Sequence, residues 1–368
     1  MKTRAESLAQ FNRFVENIGL DDRVGLIFHK DGDGMCSAVV TAMGLEKTRR
    51  VSPAAWFPAS YGIFQSHDSF IRNVRARRCN KLVCMDLNID QSVELVIELE
   101  RTCDQLLIVD HHKILHPVES KKTIMIKAQY LAPEREPSQY PNAKVMFDLW
   151  NELTDMAEAD WKACVGVASD MGVKSWKLFI DTTLTRNKID FSAIEIIRDI
   201  ISSVESVAEE RFLDLTLDLW KARSPAEVII PEWLSYRDEF ERELKHWTDA
   251  FETHARKYPS LELAVFEINP AFSIRSPLSN RLSQKYPSTT IVIMDTGRAD
   301  RAIFSLRRQD FKIAMNDLIE KCTQGIPDGT GGGHVPAAAG SVPKAFAEQF
   351  CDNLVRELER QKKSRENG

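Results

Sequence analysis

The sequence predicts an α/β protein: a doubly wound, mainly parallel sheet first, then a helical connector, then a second, smaller α/β domain. Two observations carry the first half. Short apolar runs, VGLIF at 24–28, KLVCM at 81–85, QLLIV at 105–109 and TIMI at 123–126, alternate with helix-like stretches. This is the pattern of buried strands joined by crossover helices. Three of these runs are followed at once by His29, Asp86 and Asp110, and in open α/β sheets ligands bind beyond the carboxyl ends of the strands.

The elements follow in order. Leu8, Phe11, Phe14, Val15 and Ile18 share one face of an opening helix. The stretch AEADWKACVGVASDMG, 157–172, spaces Ala157, Trp161, Cys164, Val165 and Ala168 helically and brings Asp170 to its last turn, before Gly172. From 186 to 258 the chain turns to long, charged, helix-favouring sequence, read as the connector. Strand-like LELAVFEI (261–268), TTIVIMD (289–295) and RAIFSLR (301–307) come next, then a helix near 313–321 and the glycine-rich GIPDGTGGGHVPAAAGSV. The domain limits so read are 1–185, 186–258 for the connector, 259–350 for the second domain, and 351–368 for a fraying helix end or tail.

Composition narrows the function. With 368 residues, 43% apolar and 28% charged, the chain is long enough for two domains. A net charge of −5 argues against a protein built to coat long nucleic acid, which needs Lys and Arg to neutralise phosphates. Seven cysteines, with no CxxC pair, fit a reduced chain without a zinc knuckle. The opening residues carry acids where a signal peptide has an unbroken apolar stretch, and no run approaches the roughly 20 apolar residues of a membrane span. The expectation is a cytoplasmic protein with no membrane partner.

The chemistry lies in the polar residues at the element ends. Asp31 and Asp33, in FHKDGDGMCSA, have a plain alternative role as caps of the helix beginning near Gly34. A calcium loop fits poorly, since Met35 and Ala42 stand where it needs acids. Together, however, His29, Asp31, Asp33, Asp86, Asp110, His111, His112 and Asp170 all fall at ends of predicted elements, and the sheet would gather those ends. Buried carboxylates on that scale require cations. Carboxylate and imidazole ligands without cysteine suit two divalent cations, Mn²⁺ first, with Mg²⁺ or Co²⁺ as alternatives. A carboxylate bridging two metals about 4 Å apart is the arrangement that generates a hydroxide and clamps a phosphoryl group.

HKDGDG (29–34), CMDLN (84–88), VDHHK (109–113) and ASDMG (168–172) resemble, in order, the four motifs of the DHH phosphoesterase superfamily. GGGHVPAAAG (331–340) resembles the signature of the DHH-associated substrate-binding domain of RecJ-like exonucleases and nanoRNases. The resemblance covers about 24 to 345. It implies that His29, Asp31 and Asp86 hold one metal and that Asp33, Asp86, His111 and Asp170 hold the other, with Asp86 bridging. It gives His112 a place beside the metals or on the substrate phosphate, and gives Asp110 the task of orienting the histidines. The short spacing from His29 to Asp31 is similar to the archaeal RecJ-like form.

In the second domain GTGGGH is no P-loop, because no Gly-Lys-Ser/Thr follows, and Pro336 spoils a dinucleotide fingerprint. The alternatives are a flexible loop, or glycines Gly331, Gly332 and Gly333 bringing backbone N–H groups to an anionic ligand while His334 adds a hydrogen bond or charge. The resemblance makes Arg307 the phosphate clamp, with Arg308 pointing the other way. The alternative for Arg307 is a surface salt bridge. RNVRARR at 72–78 reads as a solvated helix face, or as a track for a longer strand.

The leading expectation is a metal-dependent phosphodiesterase that binds the end of a short oligonucleotide or dinucleotide on the second domain and cuts the neighbouring phosphodiester. Rival activities are a nucleotide phosphomonoesterase of the 3′-phosphoadenosine 5′-phosphate type and a RecJ-like exonuclease on single-stranded nucleic acid. Pyrophosphatase or polyphosphatase relatives resemble the first domain only. A non-catalytic nucleic-acid-binding scaffold fits least, because every candidate ligand is present. The sequence leaves a homodimer open.

Overall fold

In the computed structural model, which describes residues 2–298 and 300–366, the first sheet is built from β1 (Val24–His29), β2 (Ala55–Ala59), β3 (Lys81–Met85), β4 (Gln105–Asp110) and β5 (Thr123–Lys127). The strands are all parallel, in the order β2-β1-β3-β4-β5. Alternate side chains enter opposite cores. Leu26 and Phe28 join Phe11, Val39, Trp150 and Trp161 on one face, while Ile27 joins Ile71, Val74, Leu95 and Leu99 on the other. The order reverses between β1 and β3. That places the crevice where such sheets bind ligands between the ends of exactly those strands that finish at His29 and Met85.

β2 has no counterpart in the sequence reading. Its five residues, AWFPA, include Pro58, which only an edge strand tolerates, and β2 is an edge strand.

Contacts divide the chain after Arg237. The helices Phe191–Val207 and Phe212–Lys221 pack on the first unit: Ile194, Ile197, Ile201, Val204, Phe212, Leu215 and Leu219 are buried in its core. Apolar residues at helical spacing on otherwise charged sequence are the mark of a one-sided packed helix.

In the second unit, six strands, β6 (Arg256–Tyr258), β7 (Leu263–Ile268), β8 (Thr290–Asp295), β9 (Arg301–Arg307), β10 (Thr330–His334) and β11 (Ala337–Pro343), run β10-β11-β9-β8-β7-β6, with only β7 and β8 parallel. The helix Ala347–Glu366 runs on past 351. Phe350, Cys351, Leu354 and Leu358 are core residues, and Phe350 stacks on Phe304 at 3.9 Å. Asn367 and Gly368 lie outside the described residues. Among the described residues no helix is long and apolar enough to cross a membrane.

Candidate metal centre

His29 ends β1, and the chain turns at once into the helix Gly32–Arg49. The turn is tight. A Cβ on Gly34 would sit 2.2 Å from the His29 carbonyl oxygen, and one on Gly32 would sit 2.1 Å from Ser169 Oγ. Asp31 is the N-cap, accepting the Gly34 N–H at 2.9 Å. Thus the capping role open to Asp31 in the sequence is real, and it uses one carboxylate oxygen, while the other faces His29. Asp33 does something else. It accepts the amides of Asn142 at 2.6 Å and Ala143 at 2.8 Å, which open the helix Asn142–Asn151, so a helix N-terminus holds this buried acid.

Asp86 follows β3 at φ +58°, a left-handed conformation uncommon outside glycine. Asp110 ends β4, with His111 buried beyond it. Asp170 is the C-cap of the helix Asp160–Ser169.

These residues, distant in sequence, meet at the strand ends. His29 Nδ1 lies 2.7 Å from Asp31 Oδ2 and 4.0 Å from Asp86 Oδ2. His111 Nε2 lies 3.3 Å from Asp86 Oδ1, and its Nδ1 lies 3.7 Å from Asp170 Oδ2. Three groups have ligand atoms all within 4.8 Å of one another: His29, Asp31 and Asp86; Asp33, His111 and Asp170; and Asp86, His111 and His112. Asp86 is common to two of these groups, and His111 links it to the set with Asp33 and Asp170. His112 also stands at ligand distance.

The residues fit a cation. His111 Nδ1 is buried without a hydrogen-bond partner among the described residues. Burial, then the charge of Asp86, pushes the Asp33 carboxyl well up, and burial with Asp31 and Asp110 does the same to Asp86. Such carboxylates need positive charge to ionise. Asp31 is different: burial raises its pKa, but the hydrogen bond and charge of His29 outweigh that and hold it low.

A buried ionic chain, which sequence reasoning missed, supports the site. Lys127 Nζ, at the end of β5, donates to Asp90 Oδ1 and to Asp110 Oδ2, both at 2.6 Å, and all three side chains are inaccessible. Asp90 Oδ2 accepts the Leu115 N–H at 2.7 Å, which ties down the loop after the histidines. Asp110 Oδ1 takes the His112 Nδ1 at 2.8 Å, so His112 turns Nε2 outward, where it meets the Tyr61 hydroxyl at 3.3 Å. Despite burial, the bond from His112 and the charge of Lys127 hold Asp110 well below the usual carboxylate range. Glu205 was also missed. It is half-buried near the site and pushed up to about 7 by burial and the charge of Asp31.

In the second unit, GGGH proves to be an edge strand, not a loop: β10 pairs with β11, with Gly331 opposite Gly340 and His334 opposite Ala337. Gly332 and Gly333 face Ala339 and Ala338. Arg307 is opposite Ala337 in turn, so Arg307, Ala337 and His334 form one row across three strands. Among the described residues the Arg307 guanidinium reaches hydroxyls alone, Ser279 Oγ at 3.1 Å and Ser276 Oγ at 3.2 Å. Arg308 points the other way, is fully buried, and pairs with Glu262 and Asp310. In RNVRARR, Val74 is buried while Arg72, Arg75, Arg77 and Arg78 are exposed.

A sheet whose strand ends gather acids and imidazoles into joined ligand groups is the framework of a metal-binding α/β protein. Residues 23–175 match the DHH family, N-terminal domain, and residues 269–363 match the DHHA1 domain. The chain belongs to the DHH family, with a DHHA1 domain in its second unit. No curated protein matches it significantly. Among solved structures, exonuclease RecJ bound to manganese is 14% identical over 98% of this chain and 95% of that one, with a TM-score of 0.69. RecJ from Thermus thermophilus in complex with Mn²⁺ is 14% identical over 96% of this chain, with a TM-score of 0.70; the chain spans 54% of that RecJ. CDC45 from Entamoeba histolytica is 8% identical over 98% of this chain and 100% of that one, at 0.58. At these identities the likeness is one of fold.

Proposed function

We propose that the chain is a divalent-metal-dependent phosphodiesterase acting on short oligonucleotides or dinucleotides. The observation that carries this reading is the position of Asp86, one oxygen turned toward His29 and the other toward His111. Two divalent cations, Mn²⁺ by preference from the ligand types, supply charge stabilisation at the phosphoryl oxygens and an acidified water when bound. His29, Asp31, Asp33, Asp86, His111 and Asp170 hold them. Asp110 fixes the His112 ring, whose outward Nε2 is placed to hydrogen-bond a phosphate oxygen. Arg307, which has no carboxylate partner among the described residues, binds a distal phosphate together with His334 and the backbone of Gly331, Gly332 and Gly333.

The direct test uses purified protein and Mn²⁺ with end-labelled strands of about two to thirty nucleotides, and a nucleoside 3′,5′-bisphosphate beside them. The specificity constant is expected to peak at about two to five nucleotides, given the acidic net charge. A preference for thirty, with affinity falling steeply as salt rises, assigns a single-strand exonuclease with the exposed arginines of 72–78 as its track. Preference for the bisphosphate assigns a phosphomonoesterase.

Two substitutions separate the parts of the site. Asp170→Asn removes one negative ligand from the set with Asp33 and His111, so part of the lost rate should return as Mn²⁺ is raised. An unchanged rate at limiting Mn²⁺ reduces Asp170 to a helix cap. Arg307→Ala should lower kcat/KM for a dinucleotide about ten- to a hundredfold, the value of a charge-assisted phosphate contact. Hydrolysis of bis-p-nitrophenyl phosphate should hardly change. Equal losses on both substrates give Arg307 a structural role.

A further inference from the structure

Among the described residues exposed large apolar side chains are few; of these, Tyr61 touches residues of the metal centre and Met171 is the sequence neighbour of one. Tyr61 lies just past β2, whose last residue, Ala59, is paired with His29. Its ring is 4.5 Å from the His29 ring and its hydroxyl 3.3 Å from His112 Nε2, yet the residue is 43% exposed. The Phe64 ring, 6.0 Å away, packs beside it, and the rest of the Tyr61 side chain is open.

Met171 comes directly after Asp170. The helix Asp160–Ser169 ends with the Gly172 N–H bonded to the Val167 carbonyl at 2.8 Å, which puts Met171 in the left-handed position at φ +57°. Glycine normally occupies that position. Here glycine stands one residue later, where a Cβ would lie 2.7 Å from Pro141 Cγ. A methionine in a strained conformation usually gains something from packing, but Met171 is 92% exposed. Strain without packing points to a functional use.

We propose that Tyr61 and Met171 form a nucleobase platform beside the metal centre, taking the base of the nucleotide whose phosphodiester is cut. This rests on the phosphodiesterase reading. The carboxylates around the metals repel any further anion, so groups at their flank meet the uncharged part of the substrate, its sugar or base. An aromatic face and a polarizable thioether both pack on the π-face of a base. Stacking of this kind does not read base edges, so all four bases are accepted with similar affinity.

The test is binding of a dinucleotide carrying 2-aminopurine, followed by its fluorescence in Mg²⁺, against an analogue in which that base is replaced by hydrogen. Wild-type protein should quench the 2-aminopurine, and Tyr61→Phe should bind within about threefold of it. Tyr61→Ala should weaken binding about 10- to 100-fold, and Met171→Gly more mildly. The abasic analogue should bind all four proteins alike. Met171→Gly should melt at or up to about 3 °C above the wild type, because glycine relieves the left-handed strain; its weaker binding is then not unfolding. Equal losses on the abasic analogue, or no quenching by the wild type, overturn the platform. In turnover, the loss of Met171→Gly should appear in KM. If the wild type binds but hydrolyses neither dinucleotide, the phosphodiesterase reading fails while the fluorescence still decides the platform.

Discussion

Asp86→Ala is expected to lower turnover at least about a thousandfold with Mn²⁺ saturating, while the protein stays folded. The side chain belongs to two of the three ligand groups, so its loss opens both. Its effect on stability should run the other way. Burial, with Asp31, Asp110 and Asp170 nearby, holds the Asp86 carboxyl well above its usual range. A carboxyl whose folded pKa exceeds its unfolded value binds its proton more tightly when folded, so metal-free stability falls as pH rises between the two values. The alanine variant loses that penalty. Without metal it should melt at or above the wild type near neutral pH, and Mn²⁺ should raise the wild-type Tm far more than that of the variant. Retention of more than a tenth of wild-type activity would exclude Asp86 as the shared ligand.

What the sequence made legible was whatever is periodic or stands at the end of something periodic. β1, β3, β4 and β5 are continuous apolar runs because helices cover both faces of the sheet. His29, Asp86, Asp110 and His111 follow those runs and so could be assigned to one edge before any coordinates. Asp33 was visible as an acid at a helix start, but its partners were not, because the amides of Asn142 and Ala143 belong to a helix more than a hundred residues on. β2 was hidden by its brevity and its proline, and β10 by its glycines, which read as a loop until the pairing with β11 is known. The helices from 191 to 221 carry a clear apolar stripe, yet a stripe does not say which core it enters. Tyr61 lies in no motif, and Met171 stands inside ASDMG with no role of its own there; exposure beside residues of the metal centre singles them out.

Lys127→Met should be the most damaging change to stability. Lys127 stands alone at the end of β5 in the sequence, and its partners lie 37 and 17 residues away on other elements. In the structure it is the cation between two inaccessible carboxylates. Breaking a buried ion pair by removing one partner costs about 3 to 5 kcal/mol, because the remaining charges are left uncompensated. For a unit of this size that corresponds to a fall in Tm on the order of 10 °C. The pH dependence gives the sign. Asp110 is held below its usual range, so its ionic contribution is fully present above the ordinary carboxylate pKa of about 4 and is lost as pH falls through the folded value. The gap between variant and wild type should therefore be constant near neutrality and narrow in acid. Adding Asp90→Asn to Lys127→Met should recover part of the loss, since one stranded charge is removed; a coupling of about 1 kcal/mol or more in the double-mutant cycle is expected. At a temperature where Lys127→Met is folded, activity should still fall, because Asp110 no longer has a fixed position from which to hold His112. A variant that melts within about 2 °C of the wild type at neutral pH would mean that the bonds of Lys127 to Asp90 and Asp110 contribute little to stability.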